Sequence, residues 1–259
     1  MTDPIHQRAI LPELHLPDEL AHSIGSIEKA EYLGHGSTNC HWRLTTSKGY
    51  FIWRQFGPTP PGANRYHERQ VLRQLQHLSW VPKLIFDCPD GVLFEAIESL
   101  STTPDQLSIP QRKEMLEAII CLWQQTIPLE TMDYPELISH YATLAPAFSH
   151  TQVKWLIQQA EQWDSHDFCL IHQDIHAGNL VFSKDSFLLI DWEYVVLGNP
   201  WIDAIALDRM LNLSASEKSL LACHLPDLNM TSPWQTMHQW LETLDQLWYA
   251  AHQGQAVLK

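Results

Sequence analysis

The feature that most constrains the fold of this chain is a polar loop in its second half, bounded by apolar runs. The loop has the pattern His172-x-Asp174-x-x-x-x-Asn179 and directly follows an apolar run. A second apolar run, residues 187–190, ends immediately before Asp191. Short apolar runs bounded by turn residues are typical of small buried strands. The pattern therefore predicts short strands that hold these four polar side chains at their ends.

The spacing of these residues matches the needs of phosphoryl transfer from ATP. That reaction uses a carboxylate that accepts or orients the proton of the attacking hydroxyl, and Asn and Asp ligands for Mg²⁺ on the triphosphate. Protein kinases supply them with H-R-D-x-x-x-x-N followed by D-F-G. Here Asp174 would be the carboxylate, with His172 as a second catalytic candidate, and Asn179 and Asp191 would be the metal ligands.

Two other interpretations of the loop remain open. Asp and Asn are common turn residues between strands, and His172 would then be a structural histidine. The run His172-x-Asp174-x-His176 also resembles the ligands of a metallohydrolase that binds Zn²⁺ or Mn²⁺. Neither interpretation predicts Asp191 at the end of the next apolar strand, so phosphoryl transfer is favoured.

The hydrophobic pattern changes after residue 98. Residues 30–55 alternate as strands do, and a Pro- and Gly-rich linker, a helix capped by Asn64 and two short strands follow. Residues 109–126 and 149–164 carry apolar side chains every three to four positions, which is the helical period. The pattern is helical again from Pro200 onward.

These patterns predict an α+β protein with two lobes. We expect a small antiparallel-sheet N-lobe over residues 1–98 and a larger, mainly helical C-lobe over residues 99–259, which includes the β insert with the polar loop. A chain of 259 residues is at the upper limit of a single hydrophobic core. Two lobes that form one functional unit are therefore expected, rather than a string of modules.

Charge narrows the choice of partners. The sequence has 16 Lys+Arg against 30 Asp+Glu, and 16 − 30 gives the formal net charge of −14. Binding to a phosphate backbone is driven by Lys and Arg that displace counterions, so we expect no nucleic acid partner. A small cationic molecule is the better match.

Targeting features are not visible in the sequence. No stretch approaches the ~18 uninterrupted apolar residues of a membrane span, and the N-terminal residues show no basic stretch followed by an apolar run. The five cysteines are scattered without a C-x-x-C pair. We therefore expect a soluble cytoplasmic protein without a membrane partner.

The two motifs together resemble the aminoglycoside phosphotransferase and choline kinase superfamily. Within it, His-Ala-Gly-Asn-Leu-Val from His176 and Ile-Asp-Trp-Glu-Tyr from Ile190 are most similar to bacterial thiamine kinases, with choline and ethanolamine kinases close behind. The resemblance implies a protein-kinase-like two-lobe fold and an ATP- and Mg²⁺-dependent kinase of a small molecule.

The resemblance also implies nucleotide-binding residues in the N-lobe. Gly36, Ser37 and Asn39 lie between two predicted strands, where a phosphate-binding loop is expected. Arg54 matches the basic residue that contacts the ATP phosphates. Glu68 is expected to orient Arg54, because an arginine–carboxylate fork holds the guanidinium in place.

The segment around Glu95 and Ile97 resembles the hinge whose backbone groups bind adenine. Other positions depart from protein kinases: Arg54 replaces the usual Lys, Gln173 replaces Arg in the catalytic loop, and the glycine loop is incomplete. No activation segment ending in A-P-E follows Asp191. These departures agree with a small-molecule acceptor, since such kinases have no phosphorylated loop to pair with that Arg.

The acceptor is expected to be a cationic alcohol. A quaternary thiazolium or ammonium group donates no hydrogen bond, so aromatic faces and diffuse negative charge are what hold it. The substrate candidates are Trp192, Glu193, Tyr194, Trp201 and Asp203. We expect transfer to the primary hydroxyl of thiamine in vitamin salvage. A choline or ethanolamine kinase is the alternative, and a non-catalytic pseudokinase is a distant one.

Overall fold

The computed structural model describes residues 13–35, 38–98, 102–183 and 186–256. Contacts divide the chain into two compact units, the first formed by residues 1–60 and 82–98 and the second by residues 61–81 and 99–259. The end of the first unit coincides with the predicted boundary at residue 98. Residues 61–81, which we predicted in the N-lobe, group with the second unit instead.

The first unit is built on an antiparallel sheet. Its elements are helix α1 (Leu20–Ile24) and strands β1 (Ile27–His35), β2 (Cys40–Thr46), β3 (Gly49–Gln55), β4 (Leu84–Cys88) and β5 (Gly91–Glu95). The strand order is β1-β2-β3-β5-β4, and each neighbouring pair is antiparallel. The tight turn between β2 and β3 requires the positive φ of 135° at Gly49, which a glycine adopts without strain.

Large apolar side chains on one face of this sheet form the core of the first unit. Trp42 of β2 is the cross-strand partner of Trp53 of β3, and both are buried. Leu93 of β5 and Leu20 of α1 complete the same cluster. Such cross-strand pairs stabilise a sheet because their side chains stand next to each other on the same face.

The second unit is mainly helical. Its helices are α2 (Arg65–Gln74), α3 (Ile109–Trp123), α4 (Tyr134–Leu144), α5 (His150–Ala160), α6 (Trp201–Leu211), α7 (Ala215–Ala222) and α8 (Pro233–Ala256). Asn64 caps α2 as predicted, because its side chain accepts the N–H groups of Tyr66 and His67. The mainly helical second unit and the antiparallel sheet of the first confirm the α+β class.

Two small two-stranded antiparallel sheets interrupt the helices and carry the polar loop. Strand β6 (Cys169–Ile171) pairs with β9 (Val196–Gly198), and β7 (Leu180–Phe182) pairs with β8 (Phe187–Leu189). The loop runs from β6 to β7. The aromatic residues Tyr134, Trp163 and Trp240 pack edge to face beneath this region, with ring centroids 4.7 to 5.8 Å apart.

None of the helices in the described part of the chain combines the length and the apolar composition that a bilayer crossing requires.

Candidate active site

The two small sheets bring His172, Asp174, Asn179 and Asp191 together. Leu180 pairs with Leu189 in the β7–β8 hairpin, and the Ile190 N–H donates to the carbonyl of Asn179 at 2.9 Å. Asn179 and Asp191 therefore leave neighbouring strand ends. The fold brings together residues that are 19 positions apart at the extremes of the motif, 172 to 191.

Asp174 and Asn179 form the centre of this arrangement. The side-chain amide nitrogen of Asn179 donates to both the carbonyl and the Oδ2 atom of Asp174, each at 2.9 Å. Burial by itself would raise the pKa of the Asp174 carboxyl. Hydrogen bonds from His176 and Asn179, together with the charges of His172 and His176, lower it by more, so the net shift of the pKa is downward. Asp174 is therefore an ionised carboxylate near neutral pH.

His172 is neutral, and both of its ring nitrogens form hydrogen bonds with the protein. Burial lowers its pKa to about 4. Its Nε2–H donates to the carbonyl of Ile190 at 3.1 Å, and its Nδ1 accepts the N–H of Asp174 at 3.3 Å. We predicted His172 as a catalytic residue, and that role stays a prediction. In the structure, the buried ring connects the main chain of Asp174 to that of Ile190, next to Asp191.

The carboxylate of Asp203 holds the polar loop through the loop's main-chain N–H groups. Its carboxylate accepts the N–H groups of His172 and Gln173 at 3.0 and 2.9 Å, and the indole N–H of Trp123 at 3.3 Å. Burial raises the pKa of Asp203 to about 6, and these hydrogen bonds oppose the rise. Gln173 has a φ of 68°, a left-handed conformation that costs energy in a residue with a side chain. Asp203 stabilises that turn.

Asp203 was predicted at the acceptor pocket, and that role stays a prediction; in the structure it is completely buried. The neighbouring residues in the sequence already indicate that Asp203 is buried. Asp203 lies in the first turn of α6 among Trp201, Ile202 and Ala204, which are also buried. A carboxylate on such an apolar helix must receive hydrogen bonds from nearby protein groups.

The two tryptophans predicted at the acceptor pocket are core residues. Trp192 is buried, donates its indole N–H to the carbonyl of Leu189 at 2.7 Å and lies edge-on to His172. Trp201 is also buried and donates to the carbonyl of Pro226 at 2.9 Å. Both rings pack inside the second unit, and their predicted contact with an acceptor stays a prediction.

Glu193 forms an ion pair that the sequence did not reveal. Its Oε2 is 2.5 Å from Nη1 of Arg65, the first residue of α2. The same Arg65 atom is 3.6 Å from the carboxylate of Glu68, which is fully buried. The predicted role of Glu193 in acceptor binding stays a prediction, and Glu68 is a buried residue of α2. The predicted fork between Arg54 and Glu68 stays a prediction.

Tyr194 is the predicted acceptor residue that remains accessible. It is half-buried, and its pKa is raised by burial and by the charges of Glu193 and Asp174. The indole of Trp248 forms a hydrogen bond with its side chain. Asp245, one turn before Trp248 on α8, forms an ion pair with Arg209 at 2.6 Å. Burial and the charge of Asp174 raise its pKa, and Arg209 opposes the rise.

Trp248 and Asp245 thus join Tyr194 around Asp174. Their helical spacing on α8 is also typical of a core-facing stripe and does not by itself indicate a site. The spacing does describe Trp240, Leu244 and Leu247, all of which are buried, whereas Trp248 is half-buried on the side of Tyr194.

The predicted nucleotide-binding residues of the first unit occupy β3, β5 and the loop before β2. Arg54 is buried on β3, with its guanidinium 5.4 Å from the ring centroid of Phe56. Asn39 is also buried. Gly36 and Ser37 lie outside the described residues. The phosphate-binding role of these residues stays a prediction.

The predicted hinge follows the end of β5. Glu95 forms an ion pair with Lys83 at 3.1 Å, and its N–H donates to the Lys83 carbonyl at 3.0 Å. The N–H of Ala96 donates to the carbonyl of Tyr50 at 3.0 Å. Ile97 then leaves the sheet with 38% of its surface exposed. The chain is thus fixed up to Ala96, and Ile97 is the first apolar side chain available to a ligand.

The donor set at the polar loop fits Mg²⁺. Both hydrogen bonds from the Asn179 amide nitrogen go to Asp174, which orients the Oδ1 atom of Asn179 as the group left for a cation. Together with the Asp191 carboxylate this gives oxygen ligands, and Mg²⁺ usually combines one or two such ligands with water and phosphate oxygens. In the described ranges, no group of three or more His, Cys, Asp or Glu side chains is placed to hold a metal ion.

A comparison with protein families finds a match for this part of the chain. Residues 104–211, which include the polar loop, Asp191 and Asp203, are similar to the phosphotransferase enzyme family, APH. No curated protein matches the chain in sequence.

Solved structures share the fold over almost the whole chain. Choline kinase LicA from Streptococcus pneumoniae is 21% identical with a TM-score of 0.70, and the match covers 92% of this chain and 89% of that one. A choline/ethanolamine kinase family protein from Mesorhizobium loti is 17% identical with a TM-score of 0.64, covering 90% and 84%. Spectinomycin phosphotransferase APH(9)-Ia, in complex with ADP and spectinomycin, is 14% identical with a TM-score of 0.62, covering 91% and 85%. The predicted kinase-like fold is confirmed.

Proposed function

We propose that this protein is an ATP-dependent kinase that phosphorylates the hydroxyl of a small cationic alcohol. The observation that carries the proposal is the cluster of Asp174, Asn179 and Asp191 inside the segment that is similar to the phosphotransferase family. A cluster of this kind supplies a group for the acceptor hydroxyl and oxygen ligands for the metal of a nucleotide triphosphate.

Asp174 would act on the acceptor. Its lowered pKa makes it a weak base, but phosphoryl transfer proceeds through a loose transition state that needs little proton removal at the start. Its main task is therefore to orient the hydroxyl in line with the phosphate and to receive the proton as the new P–O bond forms. The hydrogen bonds from Asn179 hold the carboxylate in that orientation.

Nucleotide and metal would be held by two sets of residues. Asn179 and Asp191 would bind Mg²⁺, which when bound neutralises charge that develops on the phosphates. Arg54, Asn39, Gly36 and Ser37 would contact the phosphates, and the segment of Glu95 and Ile97 would bind adenine. Nucleotide binding is supported by similar solved structures that contain AMP, or ADP with spectinomycin, or ATP with streptomycin.

The acceptor site would be formed around Tyr194, Trp248 and Asp245. Two aromatic rings and a carboxylate near Asp174 suit a quaternary cation, which is attracted to π-faces and to negative charge. Thiamine and choline both fit this description. The motif resemblance to thiamine kinases favours thiamine, and the fold similarity to choline kinase LicA gives choline equal weight.

A substrate panel tests the proposal. ADP production by the purified protein is measured with MgATP and, in turn, thiamine, choline, ethanolamine and an aminoglycoside. We expect one of the cationic alcohols to be phosphorylated, with the product identified by mass spectrometry. MgATP binding without turnover of any acceptor would favour a pseudokinase, and metal-dependent hydrolysis without ATP would favour a metallohydrolase.

The Asp174→Asn variant connects the activity to the cluster. It keeps the size of the side chain but removes its charge, so turnover should fall by at least about 10²-fold while MgADP binding is retained. Asp167→Asn is the matched control, because Asp167 is exposed in the turn before β6. Near-normal turnover of Asp174→Asn would contradict the assignment.

A further inference from the structure

The segment that carries Asp191 is attached to α2 by a buried ion pair. Nη1 of Arg65 lies 2.5 Å from Oε2 of Glu193, two residues after Asp191. The two side chains are only 12% and 3% exposed. Charges that are removed from water are costly unless they are paired, and this contact compensates one charge of each sign.

Main-chain contacts fix the same segment on both sides. The N–H of Asn64 donates to the carbonyl of Glu193 at 2.8 Å, and Asn64 is also the cap of α2. Beyond the other end of α2, the carbonyl of Trp80 accepts the N–H of Leu189 at 2.9 Å. The ring of Trp80 stacks on Trp192, with centroids 6.0 Å apart. Residues 64–80 therefore hold the chain before and after Asp191.

Asp191 itself needs such support. Its φ is 63°, in the left-handed region that a residue with a side chain adopts at a cost. A conformation of this kind persists only when the surrounding structure determines it. The attachments at Leu189, Trp192 and Glu193 are the contacts that bracket it.

We propose that Arg65 is a positioning residue, which through its ion pair with Glu193 sets the turn that presents Asp191 to the metal. Arg65 contacts neither substrate nor metal in this role. The inference rests on the proposed function, because that function assigns Asp191 to Mg²⁺. It adds that α2 contributes to metal–nucleotide binding through its first residue.

The choice of arginine follows from the geometry. Nη1 of Arg65 lies close to Glu193 and is also 3.6 Å from Oε2 of Glu68, so the guanidinium stands between two buried carboxylates. Without it, the Glu193 carboxylate would lose this buried partner and would have to turn toward water, which would move the chain next to Asp191. A lysine carries the charge but lacks the planar fork, so it should restore the function only in part.

The test compares Arg65→Gln with wild type. Outer partners that orient metal ligands typically change metal affinity or activity by about 10–100-fold when they are removed. We expect Arg65→Gln to weaken binding of Mg·ADP by that amount in calorimetry and to raise the KM for MgATP, with little change in the KM for the acceptor. Binding of ADP in the presence of a chelator should change much less. In the ligand-free protein, amide hydrogen exchange of residues 189–193 should become faster.

Three further variants make the result specific. Arg73→Gln, on an exposed part of the same helix, is the matched control and should behave like wild type. Arg65→Lys should fall between wild type and Arg65→Gln, and it remains informative if the glutamine variant does not fold. The double variant Arg65→Gln/Glu193→Gln should bind Mg·ADP no more weakly than Arg65→Gln alone, because the two residues act through one contact.

The outcomes separate the two proposals. If wild type binds Mg·ADP and folded Arg65→Gln binds it equally well, Arg65 is only a structural residue and this inference fails while the proposed function stands. If wild type does not bind Mg·ADP, the proposed function fails and this inference fails with it. A uniform loss of stability in Arg65→Gln, with unchanged exchange at residues 189–193 relative to the rest of the chain, would also contradict the inference.

Discussion

At the scale of single residues, the buried His172 makes stability depend on pH. Its pKa is about 4 in the folded protein against the ordinary value of 6.5, so between these values the unfolded chain binds more protons. The contribution of His172 is therefore fully present above pH 6.5 and is lost as pH falls toward 4. From pH 7 to pH 5 the loss amounts to about 2 kcal/mol.

This gives a prediction for His172→Gln, which does not titrate. The difference in free energy of unfolding between wild type and variant should be largest near pH 7 and smaller by about 2 kcal/mol at pH 5. Urea denaturation at both pH values measures it. Asp203, with a raised pKa of about 6, opposes the trend in the overall profile, but it is present in both proteins and cancels in the difference.

The exposed His166, in the turn before β6, gives the matched control His166→Gln. Its difference from wild type should remain small at both pH values. A His172→Gln difference that is the same at pH 5 and pH 7 would show that the imidazole is not held neutral.

At the scale of elements, one arginine connects three helices of the second unit. Arg112 of α3 donates from Nε and Nη2 to the two carboxylate oxygens of Glu217 in α7, at 2.7 and 2.9 Å. Its Nη1 donates to the carbonyl of Leu211, the last residue of α6, at 2.9 Å. Such planar double contacts are the strong form of ion pair, because geometry and charge act together.

Arg112→Lys should therefore destabilise the protein although the charge is kept. Lysine cannot make the paired contacts to Glu217 and the contact to Leu211 at once, and we expect a loss of about 1.5–3 kcal/mol in the free energy of unfolding. Lys113→Ala, next in the same helix, is the contrasting control. Its exposed pair with Glu117 should contribute at most about 0.5 kcal/mol. Equal effects of the two substitutions would contradict the special role of Arg112.

Elements also show how far the sequence could predict this molecule. Periodicity located the strands of the sheet and the long helices, because local patterns follow directly from which faces are buried. The apolar runs on either side of residues 172–179 placed the polar loop between two strands for the same reason. Both predictions needed only residues that are near in sequence.

The surroundings of two predicted acceptor residues could not be read from sequence, because they depend on residues that are distant in the chain. Trp192 and Asp203 were chosen because they are near the catalytic loop in sequence, yet their environment is set by distant residues. Trp80 stacks on Trp192, and Trp123 donates to Asp203. No local sequence pattern predicts these contacts. Residues far away in sequence therefore bury both side chains, and Asp203 stabilises the polar loop by hydrogen bonds.

At the scale of the whole molecule, the net charge of −14 should change the association rates of the two proposed substrates, MgATP and a cationic acceptor, in opposite directions. A cationic acceptor is attracted to an acidic protein before it binds, whereas MgATP is an anion and is repelled. Salt screens both effects: the Debye length falls from ~30 Å at about 0.01 M to ~10 Å at about 0.1 M ionic strength.

This predicts a diagnostic salt dependence of the kinetics. Over that range of ionic strength, kcat/KM for the cationic acceptor should fall several-fold, while kcat/KM for MgATP should stay constant or rise, because attraction and repulsion are both weakened. Steady-state rates with each substrate varied at saturation of the other measure the two trends. An uncharged alcohol that is accepted weakly serves as a control and should show no fall. If both values of kcat/KM fell in parallel, salt would be acting on the enzyme itself, and the acidic surface would have no part in attracting the acceptor.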